Sequence, residues 1–223
     1  MKRVPTEELV TLLVRDLEPT RRIPRLRAQW AALVGVGGLV ILLVVAYRGL
    51  RPDALALLLS GEAFTLVAAG LLAAALGACA AALAFARPDR DRLAQGGLLC
   101  GAGGLALAAG IAALGFAEAP SAAGSAQALH AALACSVSGI LFAVPLSILA
   151  AFLMSTGAPR RLGMTAAVAA LGATAFGALA VHFTCPSLSV WHWITAHALA
   201  PVFGAVLLAA PLRVLTLRWE RGR

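Results

Sequence analysis

Apolar residues gather into six runs, near 30–47, 61–86, 93–117, 131–155, 163–184 and 196–213, with short polar stretches between them. Within each run the apolar positions are continuous rather than alternating. Each therefore predicts a helix, and none predicts a strand of a membrane barrel. A bilayer core takes about 20 residues of helix, so every run is long enough to cross one. The expected fold is all-α: a polytopic membrane protein of six transmembrane helices with both termini cytoplasmic. The expected organisation is a cytoplasmic segment over 1–29, a six-helix bundle over 30–218 and a cytoplasmic tail over 219–223. Little chain is left for a separate soluble domain.

The arginines set the orientation. With both termini inside, all of the 18 Lys and Arg residues except Arg48 and Arg51 face the cytoplasm, as the positive-inside rule requires. Arg87, Arg90 and Arg92 mark one inner loop and Arg160 and Arg161 the next; the third and fifth loops have no basic residue. The net charge of +8 is then a topological bias with some attraction to anionic lipid, not a nucleic-acid footprint. Trp30 and Trp219 fall at inner boundaries and Tyr47, Trp191 and Trp193 at outer ones, the expected interfacial belt. No cleavable signal peptide is expected; the first run acts as a signal anchor. The expected location is the bacterial inner membrane, multi-pass.

The first 29 residues predict a short amphipathic helix. Thr6 is a candidate N-cap, with Glu7 and Glu8 in the first turn, where they oppose the helix dipole. Leu9, Leu12, Leu13 and Leu17 recur at helical spacing, and Pro19 stops the helix. A basic, proline-interrupted stretch follows. Two readings stand: a juxtamembrane helix on lipid, and an apolar stripe that fills the groove of a cytoplasmic partner. Gly97 and Gly101, with Gly103 and Gly104, predict close packing of the third span. Pro145 and Pro201 predict kinks. Ser60, Gly61 and Glu62 predict a cap for the second span.

The span interiors contain no Asp, Glu, Lys or Arg. Such a residue costs about 2.5–3.5 kcal/mol at mid-membrane and usually serves transport, so its absence argues against an ion-coupled transporter. No nucleophile–base–carboxylate set, HExxH, P-loop or CxxC is present, and no enzyme is expected. The reactive side chains collect at the outer side: His130, Cys135, His182, Cys185, His192 and His197. In a Gram-negative cell that side is the oxidising periplasm. Thiolate and imidazole are ligands for soft and borderline metals, so metal or redox sensing stands beside a purely structural use. Cys79 and Cys100, at similar depth in adjacent spans, read as packing, with a metal relay as the lesser alternative. No obligatory cofactor is expected; the outer cluster would hold at most a soft metal ion, transiently.

Three features resemble the NrsF-type anti-sigma factors, six-span regulators of extracytoplasmic-function sigma factors. Asp16-Leu17-Glu18-Pro19-Thr20-Arg21-Arg22 is similar to the family's DLxPVxx segment, with Thr20 in place of Val. The six-span layout with a short cytoplasmic head is the second. His182-Phe183-Thr184-Cys185-Pro186, followed by Trp191-His192 and His197, is the third. The resemblance implies that the head holds an extracytoplasmic-function sigma factor at the membrane, with Leu9, Leu13, Asp16, Leu17, Arg21 and Arg22 as partner-binding positions. It implies too that a periplasmic heavy-metal or oxidative signal, read by Cys135 and Cys185, releases it. The competing reading is a heavy-metal transporter or channel, which needs a polar route that the spans do not offer beyond Cys79 and Cys100.

Overall fold

The structure is a computed structural model that describes residues 6–15, 24–118, 126–187 and 190–222. Among them there is no strand. Helix α1 is Thr6–Arg15 and α2 is Leu26–Arg48; α3 is the short Ala54–Ser60; α4 is Ala63–Phe85, α5 Asp91–Glu118, α6 Ala126–Met154 and α7 Leu162–Thr184. A turn of helix, α8 (Val190–His192), leads into a π-helical segment, Trp193–Ala198, and then into α9, Ala200–Arg221. Six of these helices are long and apolar enough to cross a membrane, as the six runs predict. The expected bundle limits of 30 and 218 fall inside helices, since α2 begins at Leu26 and α9 runs on to Arg221. The end of the bundle where α2 begins is here called proximal, and the opposite end distal.

Small side chains decide the packing. α4 and α5 cross as a zipper of glycine and alanine. A Cβ on Gly77 would lie 2.5 Å from the amide nitrogen of Gly101 and 2.7 Å from the carbonyl oxygen of Gly97, and one on Gly104 would lie 2.5 Å from the amide nitrogen of Ala74. Backbones this close gain dispersion contacts that lipid does not offer, the role small residues play between membrane helices. Gly103 does not share in this, because nothing lies within 4 Å of a Cβ built there. Gly77→Val is therefore expected to lower the thermal midpoint of the detergent-solubilised protein, since overpacking costs about 1–3 kcal/mol, whereas Gly103→Val leaves it unchanged. Equal midpoints for the two variants would refute the zipper.

α7 is the axis of the bundle. It is packed against α2, α4, α6 and α9, and almost every position from Thr165 to Thr184 is buried. α2 is the least enclosed of the six spans. It buries Gln29, Leu33, Gly37 and Val44, and the Phe176 ring of α7 fills the place of a side chain at Gly37. Polar ties hold its proximal end. The Gln29 amide donates to the Thr156 hydroxyl at 2.9 Å, and Arg87 donates to the Gln29 carbonyl at 2.8 Å and to the Pro24 carbonyl.

Several local expectations are revised. The loop between the first two spans carries α3; Gly61 is that helix's C-cap, in the left-handed conformation at φ 69°, which glycine adopts without a Cβ clash, and Glu62 alone takes the N-cap position of α4. Pro201 does not kink a continuous helix; it lies in the first turn of α9, directly after the bend at Leu199 that ends the π segment. Proline has no N–H to give back to the preceding turn, so the break falls ahead of it. Pro145 lies inside α6. Trp193 is buried rather than interfacial, and its Nε1 donates to the Ser187 carbonyl at 2.9 Å. Tyr47, by contrast, is 87% exposed in the last turn of α2.

A buried thiol–imidazole site at the distal end

The site begins with the way α7 stops. A residue before proline is forced out of the helical region. Cys185 precedes Pro186 and is extended, at φ −82° and ψ 122°, while its own N–H still closes the last helical turn on the Val181 carbonyl at 2.8 Å. This turns the thiol away from the α7 axis toward α6. There Cys135, in the third turn of α6, brings its sulfur to 3.8 Å from that of Cys185. Both thiols are free.

The chain then returns through α8. His192 is 4% exposed and sets its Nε2 3.2 Å from the Cys185 sulfur. The π segment follows at once, with the Leu199 amide bonded to the Ile194 carbonyl at 2.9 Å. π turns are rare and collect at functional sites. This one carries His197 into the bundle. Its ring is fully buried, 5.3 Å from the His192 ring and 5.1 Å from the His182 ring between centroids. His182 stacks on Phe64 at 4.2 Å and hydrogen-bonds the Phe64 carbonyl through Nε2 at 3.1 Å. His197 faces the Cys185 sulfur, while Nδ1 of His182 has no hydrogen-bond partner. Buried polar atoms left unpaired cost about 1–3 kcal/mol each, a cost that persists at sites kept for a task.

The ligand atoms of Cys135, Cys185 and His192 all lie within 4.8 Å of one another. The spacing suits an ion. Two sulfurs about 2.3 Å from a tetrahedral zinc-like ion stand about 3.8 Å apart, the separation found here. A disulfide, by contrast, needs the sulfurs at about 2.05 Å, so oxidation has to draw the two helices' thiols together by about 1.8 Å. Cys185 is the thiol favoured to ionise. The hydrogen bond from Cys135, and after it that from His192, hold it below the ordinary thiol range against the opposing effect of burial. A thiolate is both the metal ligand and the nucleophile in disulfide chemistry.

Five of the six sequence-predicted sensing positions thus form one cluster: Cys135, Cys185 and His192 directly, with His197 against the His192 ring. His182 joins through His197. His130 is exposed on α6 and is not part of the Cys135–Cys185–His192 group. Cys79 and Cys100 do not share a site. The first is buried against Gly172, whereas the second is exposed and its thiol reaches the Ala73 carbonyl at 3.7 Å. Among the partner-binding positions, Leu9 and Leu13 fall within α1, while Asp16, Leu17, Arg21 and Arg22 lie outside the described residues.

Sequence reading missed Arg51. It appears there only as one of two outer-loop cations, yet it is 5% exposed. Its guanidinium forks onto Asp53 at 2.6 and 2.9 Å, donates to the Cys185 carbonyl at 3.1 Å, and stands 5.2 Å from the Phe64 ring centroid. Its backbone N–H donates to the Phe183 carbonyl at 3.1 Å. The hydrogen bond from Arg51 holds the Asp53 carboxyl below the usual carboxylate range. The Arg51-Pro52-Asp53 sequence hints at the local fork. Nothing in it announces a carbonyl 134 residues away.

Fold and site together define a class: a polytopic α-helical membrane protein with a thiol–imidazole cluster buried at one end of its bundle. The family follows from comparison with known proteins, because the model of NrsF, negative regulator of sigma F, matches residues 13–219, nearly the whole chain, and the chain belongs to that family. It is a negative regulator of a sigma factor, and a sigma factor is its partner. A regulatory family of this kind argues against an enzyme. Comparison with curated proteins and with solved structures gives no match.

Proposed function

We propose that this protein is an inner-membrane anti-sigma factor. Its cytoplasmic head captures an extracytoplasmic-function sigma factor, and a periplasmic heavy-metal or redox signal at Cys135 and Cys185 releases it. The observation that carries the sensing half is the 3.8 Å approach of two free thiols contributed by different spans, with His192 3.2 Å from one of them. A switch needs a signal that favours one of two states. Both chemistries available here change how α6 and α7 are tied. A soft divalent ion takes the two thiolates and the His192 imidazole, releasing thiol protons. An oxidant such as peroxide takes two electrons and two protons from the thiols, leaving one S–S bond and two waters.

Orientation follows from the arginine distribution, which sets the head and tail inside and the thiols outside. The helical head fits groove-filling recognition, with the leucines of the stripe entering a pocket on the sigma factor. A metal transporter needs a continuous polar path; Cys79 packs against Gly172 and Cys100 reaches the Ala73 carbonyl, contacts that favour packing over a relay.

The capture half is tested by affinity purification of the solubilised full-length protein. The expected result is one co-purifying sigma factor, lost when residues 1–20 are deleted. Recovery of no sigma factor from unstressed cells would refute the proposal. His192→Ala separates the two signals. It is expected to weaken cadmium protection of the thiols against alkylation at least about tenfold, since even a change outside the ligand set costs a metal site that much, and to slow peroxide-driven disulfide formation without preventing it, because the Cys185 thiolate loses one of its hydrogen bonds. Unchanged cadmium protection would leave oxidation as the signal.

A further inference from the structure

α2 is the span joined to the cytoplasmic head, yet it contributes no atom to the thiol cluster. Its distal end is nevertheless fastened to that cluster. Arg51 lies three residues past the last residue of α2, Arg48, and three residues of chain reach at most about 10 Å. From there Arg51 holds two carbonyls at the C-terminal end of α7: that of Phe183, in the last turn, through its backbone N–H at 3.1 Å, and that of Cys185, the residue after the helix, through its guanidinium at 3.1 Å. Asp53 grips the same guanidinium with both carboxylate oxygens, and a fork of this kind fixes direction as well as distance. The Phe64 ring closes the remaining face.

We infer that Arg51 is the positioning residue that passes a change at Cys185 to α2, and so to the cytoplasmic segment that precedes it. The inference rests on the proposed sensing role of Cys135 and Cys185. The grip is on the backbone of Cys185 itself, so any shift of that residue toward Cys135 pulls on the fork. A rigid helix carries the pull along its length. α2 is suited to move because it is the least enclosed span, burying only Gln29, Leu33, Gly37 and Val44. At the proximal end the receiving groups are polar: Gln29 on Thr156, and Arg87 on both Gln29 and Pro24. Pro24 lies just ahead of α2, where the proposed docking segment ends. Hydrogen bonds of this type can exchange partners without opening a cavity, whereas a packed core resists gradual deformation.

The test uses the full-length protein in its membrane, with a reporter driven by a promoter of the co-purifying sigma factor. Disulfide formation is followed by thiol trapping after diamide, whose nitrogen–nitrogen double bond accepts the two electrons and two protons released by Cys135 and Cys185. Arg51→Gln keeps a polar side chain but loses the fork and its charge. The expected result is silent promoter activity at rest, disulfide formation equal to wild type, and reporter induction reduced at least tenfold. Arg51→Lys, which restores the charge without the fork, is expected to recover only part of the induction. Induction within twofold of wild type in Arg51→Gln would overturn the inference, and so would failure of the disulfide to form, because Arg51 would then merely build the sensor. Should Arg51→Gln be missing from the membrane, Asp53→Asn is judged by the same criteria. Normal induction in Cys135→Ser and Cys185→Ser would instead defeat the sensing role on which the inference stands, a result distinguishable from loss of coupling alone.

Discussion

Replacing Cys135 or Cys185 by serine is expected to hold the sigma-dependent promoter silent under cadmium or chromate, with induction falling at least about tenfold to the unstimulated level. Serine has nearly the same shape, so the bundle keeps its packing. What it loses is the chemistry, because a hydroxyl forms no disulfide and is a poor ligand for a soft ion. Cys185→Ser is expected to be the more severe change. The Cys185 sulfur touches both Cys135 and His192, whereas Cys135 contacts the cluster from one side. The measurement is reporter output across a range of inducer, with immunoblotting of the membrane fraction to show equal protein. Normal induction in both mutants would remove the thiols from the signal path.

The second large effect is expected in the segment that precedes α2. Leu13→Asp together with Leu17→Asp should give constitutive sigma activity while the protein stays in the membrane. A leucine buried in a partner's groove contributes roughly 1.5–3 kcal/mol. Losing two such contacts, and burying charge in their place, weakens binding by at least about 100-fold. Helix α1 itself should survive, because of the two positions only Leu13 falls within Thr6–Arg15, and it lies in the last turn of that span. Intact repression by the double mutant would move the docking surface elsewhere in the head.

These predictions draw unevenly on sequence. The six spans were legible because bilayer thickness imposes a length and a hydropathy that no other fold requires. The glycine spacing of α5 was legible too, but only in part: Gly97, Gly101 and Gly104 meet α4 while Gly103 points into open space, and helical phase decides which. The site residues were legible by type and by side. Their meeting was not, since it depends on how α6 packs on α7 and on a proline that unwinds one residue at the end of α7. The π segment leaves no periodic signature of its own, so Trp193 and His197 read as boundary residues when both are enclosed. Arg51 reads as a loop cation because its partners are main-chain carbonyls, and every residue has one.

The least apolar of the six spans, α7, is also the most enclosed. A segment rich in Ala, Gly and Thr that touches helices on nearly all sides has little need to dissolve in lipid. The consequence is one of biogenesis: α7 is the fifth span to leave the ribosome and the one with the weakest claim of its own to enter the bilayer. Its insertion leans on α2, α4 and α6 already waiting there. A chain truncated after α7 should therefore lose membrane integration of that segment when the earlier spans are removed, whereas α2 should integrate unaided.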